Sequence, residues 1–145
     1  MYIRPAVAVE TKLETVSESV TGGPKPCRVF VVEDEVMIRM LLEDMLADLG
    51  YEIVASPGGL EEAVGLARNA DFDVAILDVN LNGNAVYPVA EILAARGVPF
   101  VFSTGYGERG MPEPYRDRPT LQKPFQLENL DRALATAASK AVSST

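Results

Sequence analysis

Val74-Ala75-Ile76-Leu77-Asp78 is the stretch that decides the reading of this chain: four apolar residues without interruption, closed by an acid. A run this short and this uniformly apolar suits a strand buried on both faces, the environment of a central strand in a parallel sheet. Two further runs repeat the pattern. Val29-Phe30-Val31-Val32 leads into Glu33-Asp34, and Thr120-Leu121-Gln122 leads into Lys123, so that Asp78 falls near the midpoint between Asp34 and Lys123. In an open parallel sheet, residues at strand ends gather at the carboxyl edge, where ligands bind. Two or three carboxylates beside one lysine describe a divalent-cation site with a counter-ion, built for a group that carries phosphate.

Composition narrows the class. The chain has 145 residues, 48% hydrophobic and 23% charged, which suits one globular domain able to bury its own core. Its net charge of −8 repels a phosphate backbone or an anionic membrane surface, so nucleic acid and membrane are excluded as partners and proteins are expected. Cys27 is the single cysteine, which rules out an intrachain disulfide and fits a reducing compartment. Histidine is absent, which removes imidazole bases, Ser-His-Asp and Cys-His systems and His-ligated zinc. Ala6-Val7-Ala8-Val9 is too short for a signal-peptide core, and no later run approaches the roughly 18 residues of a membrane span. A cytoplasmic protein is expected.

Residues 1–26 read as an N-terminal extension, ending in the breaker cluster Thr21-Gly22-Gly23-Pro24-Lys25-Pro26, a linker. Val9, Leu13, Val16 and Val20 would form a narrow apolar stripe if the segment were helical, and both a mobile tail and a docked helix stay open. The domain proper spans 27–145. After the first strand, Ile38, Leu41, Leu42, Met45 and Leu49 make a helical stripe read as core, stopped by Gly50. Tyr51–Ala55 is a second strand, and Leu60, Ala63, Val64 and Ala67 mark a second helix. The strand ending at Asp78 is followed by a loop at Asn80, Asn82, Gly83 and Asn84, then by a helix carrying Val86, Val89, Ala90 and Leu93 and ending at Gly97. Pro99–Ser103 is the fourth strand. Gly105, Gly107, Gly110, Pro112, Pro114 and Pro119 leave little room for a helix before the fifth strand, so a loop is expected there. Leu127, Leu130, Leu134 and Ala137 or Ala138 give a closing helix before a frayed tail, Ser143-Ser144-Thr145.

This arrangement resembles the receiver domain of two-component response regulators over about residues 27 to 140. The resemblance rests on Glu33-Asp34 after strand one, Asp78 after strand three, Thr104 after strand four and Lys123-Pro124-Phe125 after strand five, in the family's order and roughly its spacing. It implies an α/β flavodoxin-like (βα)5 fold, a doubly wound parallel sheet of order 2-1-3-4-5, here with the fourth helix replaced by a loop. It further implies Asp78 as the carboxylate that accepts a phosphoryl group, with Mg2+ held by Glu33, Asp34, Asp78 and the backbone carbonyl of Asn80. Lys123 and the Thr104 hydroxyl would take phosphoryl oxygens. Taken singly these residues have plainer readings: Glu33-Asp34 as a helix N-cap, Asp78 as a turn cap, Thr104 as a turn hydroxyl and Lys123 as a solvated charge. Together at one sheet edge they favour the phosphoacceptor.

Pro99-Phe100-Val101-Phe102-Ser103-Thr104-Gly105-Tyr106-Gly107 looks like the signature of a receiver subgroup with Phe-Ala-Thr-Gly and a bulky residue after strand four (the FATGUY type), Ser103 standing in place of Ala. The likeness implies a stand-alone receiver served by a histidine kinase of the HWE or a related family, often in general stress signalling, with a possible downstream phosphotransfer or regulator protein as second partner. The residues after Lys123 suffice for one helix and no effector domain. Receivers usually carry Tyr or Phe three residues before the lysine, where this chain has Thr120, which leaves Tyr106 as the nearby aromatic. Two alternatives are weighed. A degenerate receiver serving as a phosphorylation-independent binding module is disfavoured by the intact Asp34, Asp78, Thr104 and Lys123. A hydrolase of the haloacid-dehalogenase kind needs a second Asp two residues after the nucleophile, and position 80 is Asn.

Overall fold

The computed structural model describes residues 27–105, 115 and 118–143, the side chains of 139–143 excepted. Its elements are β1 (Arg28–Val32), α1 (Val36–Asp48), β2 (Glu52–Ala55), α2 (Leu60–Asn69), β3 (Val74–Asp78), β4 (Asn80–Leu81), β5 (Asn84–Ala85), α3 (Tyr87–Arg96), β6 (Phe100–Thr104), β7 (Thr120–Gln122) and α4 (Leu127–Ser143). Five strands form one sheet in the order β2-β1-β3-β6-β7, all neighbours parallel. Counting only the strands of this sheet, that is the expected order 2-1-3-4-5. β4 and β5 form a separate antiparallel hairpin.

Side-chain alternation along the strands builds both halves of the core. Phe30, Val32, Ala75, Leu77, Phe100 and Phe102 face α2 and α3, packing with Ala63, Ala67, Val89 and Leu93. Val29, Val31, Val74, Ile76, Val101 and Leu121 face α1 and α4, packing with Leu42, Leu46, Leu130 and Leu134. β3 is buried throughout because it carries apolar residues to both faces. Parity then places the acids: Glu33 continues the Val29 and Val31 series, Asp78 the Val74 and Ile76 series, and Lys123 follows Leu121. All three project on the α1/α4 side of the carboxyl edge. Val32 lies beside Leu77 in register, which sets Glu33 next to Asp78.

Glycines end two helices as their sequence positions implied. Gly50 follows α1 at φ 90°, and Gly97 caps α3 at φ 75°, both left-handed conformations that a side chain disfavours.

Three expectations are corrected. The stripe after Asp34 is not all core: Leu42, Leu46 and Leu49 are buried, but Leu41 is 43% exposed and Met37 and Met40 face solvent. Ile38, Leu42, Met45 and Leu49 pack on the core as expected, whereas Leu41 turns outward and Leu46, not expected there, is buried. The stretch 80–84 is not an irregular loop, because Asn82 and Gly83 both take positive φ and close a hairpin. Ser143 is still helical. The extension 1–26, residues 106–114 and 116–117 of the stretch expected as a loop, Tyr106 among them, and residues 144–145 lie outside the described residues.

Candidate functional site

The sheet order reverses direction between β1 and β3, and a crevice opens beyond their carboxyl ends. Asp34, Glu35, Asp78, Asn80, Asn82, Gly83, Thr104, Gly105 and Lys123 line a cleft of about 620 Å3 there. Of the residues singled out in the sequence, Glu33 lies just beneath this lining, 1% exposed, and the others stand in it. The structure therefore brings together all of Glu33, Asp34, Asp78, Asn80, Thr104 and Lys123.

Lys123 is the electrostatic centre. Its Nζ lies 3.2 Å from Glu33 Oε1, 3.4 Å from Asp78 Oδ2 and 3.9 Å from Glu35 Oε1. Glu33 Oε1 is buried, and the Lys123 ammonium is its charged neighbour. Its other oxygen, Oε2, accepts the Glu35 amide at 3.0 Å. The backbone carbonyl of Glu33 accepts from Arg39 Nη1 at 2.7 Å, and the Glu33 amide donates to Pro57 O at 3.3 Å, so this peptide is held from both sides. The Lys123 amide donates to Thr104 O at 2.9 Å, tying the lysine to the end of β6, and the Lys123–Pro124 peptide is cis.

The plain readings fare differently. Glu35, not Glu33 or Asp34, occupies the N-cap position of α1, and no side chain caps it. Asp78 does accept the Asn80 amide, at 3.3 Å, as a turn-capping Asp would, but it is 5% exposed and paired with Lys123 as well. Thr104 is buried at the end of β6.

Charge repulsion and burial set the protonation of the site. Desolvation, then the neighbouring Glu33 charge, raise Asp78 from 3.8 to about 7, against the downward pull of Lys123. Lys123 loses hydration on burial, but Asp78 and Glu33 outweigh this and hold its pKa above the usual lysine value. Asp34 is lowered: some desolvation opposes the change, and hydrogen bonds from its surroundings, including the Asn82 amide at 3.0 Å, prevail.

One carboxylate oxygen from each of Glu33, Asp34 and Asp78 lies within 4.8 Å of the others. Hard oxygens at this spacing suit Mg2+, which takes a few carboxylates and keeps several waters. Three clustered acids sharing one lysine, with Asp78 raised by burial and by Glu33, are what a carboxylate cluster shows when its positive charge is insufficient, so these residues fit a cation.

Sequence reasoning missed two participants in the site and one contact of the adjoining core. Glu35 is a third acid facing Lys123. Asn82 bonds Asp34 through its backbone, although Asn-Gly between short strand-like runs is a strong hairpin signal. Tyr115 stacks on Tyr87 at 5.4 Å and meets Phe102 edge-on at 5.3 Å, which no spacing in the chain would reveal.

A parallel five-stranded sheet flanked by helices, with this acidic cleft at its switch point, defines a flavodoxin-like α/β domain, and comparison with known proteins identifies it further. Residues 29–135 match the family described as the response regulator receiver domain, and the chain belongs to that family. It is 38% identical over 119 residues to the transcriptional regulatory protein PdtaR of Mycobacterium tuberculosis, an alignment covering 79% of this chain and 58% of PdtaR. The chain thus spans little more than half the length of that relative. The solution structure of SdrG from Sphingomonas melonis Fr1 is similar at 42% identity and a TM-score of 0.71, covering 77% of this chain and 96% of SdrG. The response regulator PhyR from Brucella abortus is similar at 28% identity and a TM-score of 0.71, covering 83% of this chain and 51% of PhyR. Among the described residues, no helix is long and apolar enough to cross a membrane.

Proposed function

We propose that this protein is a stand-alone response regulator receiver that takes a phosphoryl group from a histidine kinase phosphohistidine onto Asp78. Residues 27–145 form the receiver unit, 1–26 its extension, and the protein works in the cytoplasm. The observation that carries the reading is the buried Asp78 carboxyl at the sheet edge, 3.4 Å from Lys123 Nζ and clustered with Glu33 and Asp34.

In the transfer an Asp78 oxygen attacks phosphorus in line. The phosphorus–nitrogen bond of the donor breaks, its electron pair stays with the imidazole, and Asp78 becomes an acyl phosphate. Attack requires ionised Asp78, which Lys123 favours and which burial and Glu33 oppose. Lys123 then offers a fixed positive charge to one phosphoryl oxygen and the Thr104 hydroxyl a hydrogen bond to another. Glu33, Asp34, Asp78 and the Asn80 carbonyl would hold Mg2+, which when bound neutralises the charge that the phosphoryl group brings into an acidic cleft. The conformation of SdrG activated with BeF3, from Pseudomonas melonis Fr1, supports the reading by likeness at 43% identity and a TM-score of 0.67. The kinase is assigned to the HWE or a related family, on the Phe100–Tyr106 signature.

Phosphotransfer profiling against phosphorylated histidine kinases of the source tests this. Label should move only with Mg2+ present, resist acid, be lost in base, and be absent from Asp78→Asn. Persistent labelling of Asp78→Asn would remove Asp78 as acceptor. Failure of every kinase to label a folded, Mg2+-binding wild type would favour the binding-module alternative.

A further inference from the structure

We infer that the β4–β5 hairpin is part of the cation site's scaffold and that Gly83, which touches no ligand, is a positioning residue for Asp34. The inference rests on the cation reading above and names what holds its most exposed acid.

Asn82 at φ 51° and Gly83 at φ 85° form the central pair of a tight antiparallel turn, in which two successive left-handed residues match the twist of the flanking strands. Asn80 pairs with Ala85 and Leu81 with Asn84. The Gly83 amide donates to Asn80 Oδ1 at 2.8 Å, and the Val86 amide to Val79 O at 3.0 Å closes the base. Leu81 is fully buried and pins one arm to the core. The turn therefore has one conformation. In it the Asn82 amide lies 3.0 Å from Asp34 Oδ2.

Asp34 needs such a hold. Glu33 is fixed by burial and Asp78 by Lys123, whereas Asp34 is only partly buried in the cleft lining. An aspartate left to sample its rotamers would present the ligating geometry for only part of the time, and the amide selects one. The second lone pair and second oxygen of the carboxylate remain for a cation.

Gly83 and Gly97 make a matched pair for testing this. A Cβ added to either meets no atom within 4 Å, and both have left-handed φ, +85° and +75°. Alanine at either position is therefore strained by backbone conformation alone. Asn tolerates that conformation far better than Ala. Gly97 lies at the far end of α3, away from the cleft.

The experiment is Mg2+ titration of the whole chain by calorimetry and by amide NMR, for wild type, Gly83→Ala, Gly83→Asn, Gly97→Ala and Asp34→Asn. Gly83→Ala should weaken the Mg2+ Kd by about tenfold or more, the effect expected when a hydrogen bond to one charged ligand is lost. Gly83→Asn should stay within about twofold of wild type, as should Gly97→Ala despite a similar loss of thermal stability. Unchanged affinity in Gly83→Ala, or an equal loss in Gly97→Ala or Gly83→Asn, would overturn the inference while leaving the cation site standing. Should Gly83→Ala not fold, the Asn82 amide resonance decides. It should move on Mg2+ addition and in Asp34→Asn, and indifference to both overturns the proposal. A wild type that binds no Mg2+ would bring down the cation reading and this inference together.

Discussion

Asp78→Asn should make the cation-free protein more stable at neutral pH, although it deletes an ion-pair partner of Lys123. The carboxyl is 5% exposed, next to Glu33, and its pKa is raised from 3.8 to about 7. The folded state thus holds its proton to higher pH than the unfolded chain does. Between these two values the unfolded state binds fewer protons, so stability is fully present below about pH 4 and falls as pH rises toward 7. At about 1.4 kcal/mol per tenfold change in proton affinity, the full loss is on the order of 4 kcal/mol. Asn mimics the protonated carboxyl at every pH and removes that loss, while Lys123 keeps Glu33 at 3.2 Å. Even a third of this figure would raise Tm by roughly 5 °C for a domain of this size. The assay is urea denaturation of both proteins from pH 4 to 8 in EDTA, scored as the stability difference between them. That difference should grow with pH and level off above about 7, and Mg2+ should narrow it by stabilising the wild type alone. A difference that is flat across the range, or an Asp78→Asn protein less stable at pH 7.5, would refute the argument that Asp78 is held against like charge and desolvation.

Other outcomes follow from the same contacts. Lys123→Met removes the charge that draws Asp78 down, so the Asp78 pKa should rise further above about 7, which carboxyl 13C NMR titration reads directly; a lower value would contradict the assigned electrostatics. Ser103 Oγ is buried without a hydrogen-bond partner among the described residues, so Ser103→Ala should stabilise by about 1 kcal/mol in chemical denaturation. Leu46→Ala should cost about 2–5 kcal/mol, whereas Leu41→Ala, on the same helix but 43% exposed, should stay within about 0.5 kcal/mol. Equal losses at the two positions would mean that α1 is turned differently on the sheet.

Strand and helix order was legible because each element announces itself locally. Val74 to Leu77 is apolar on both parities, and only a strand covered on two faces needs that. Gly50 and Gly97 mark helix ends because a left-handed residue is cheapest as glycine. The gathering of Glu33, Asp34, Asp78 and Lys123 was legible too, since in a parallel sheet every strand carries its terminal residue to the same edge. The choice between Leu41 and Leu46 on α1 was not. Leu41 and Leu46 are equally apolar, and a stripe of i, i+3, i+4 spacing can be drawn through either; only the sheet surface selects Leu42, Leu46 and Leu49.

What tertiary structure alone decided is how the charges divide their partners. Sequence shows three acids and a lysine near one another, but not that Glu33 is the acid buried against Lys123, nor that Glu35 also reaches toward Lys123. Those outcomes depend on side-chain parity across β1, β3 and β7 and on the depth of each strand end, quantities that exist only once the sheet is assembled. The Asn82 amide at Asp34 belongs to the same group. Turn chemistry at Asn82-Gly83 is local, but the loop across the cleft that receives its hydrogen bond comes from β1, 48 residues earlier in the chain. By itself the sequence determined the strands, the helices and the set of ionisable groups at the sheet edge, while the strand order came with the resemblance to receiver domains. Packing determined which of those groups has its proton affinity raised, which is paired, and which is held by backbone, because desolvation and distance are properties of the folded chain.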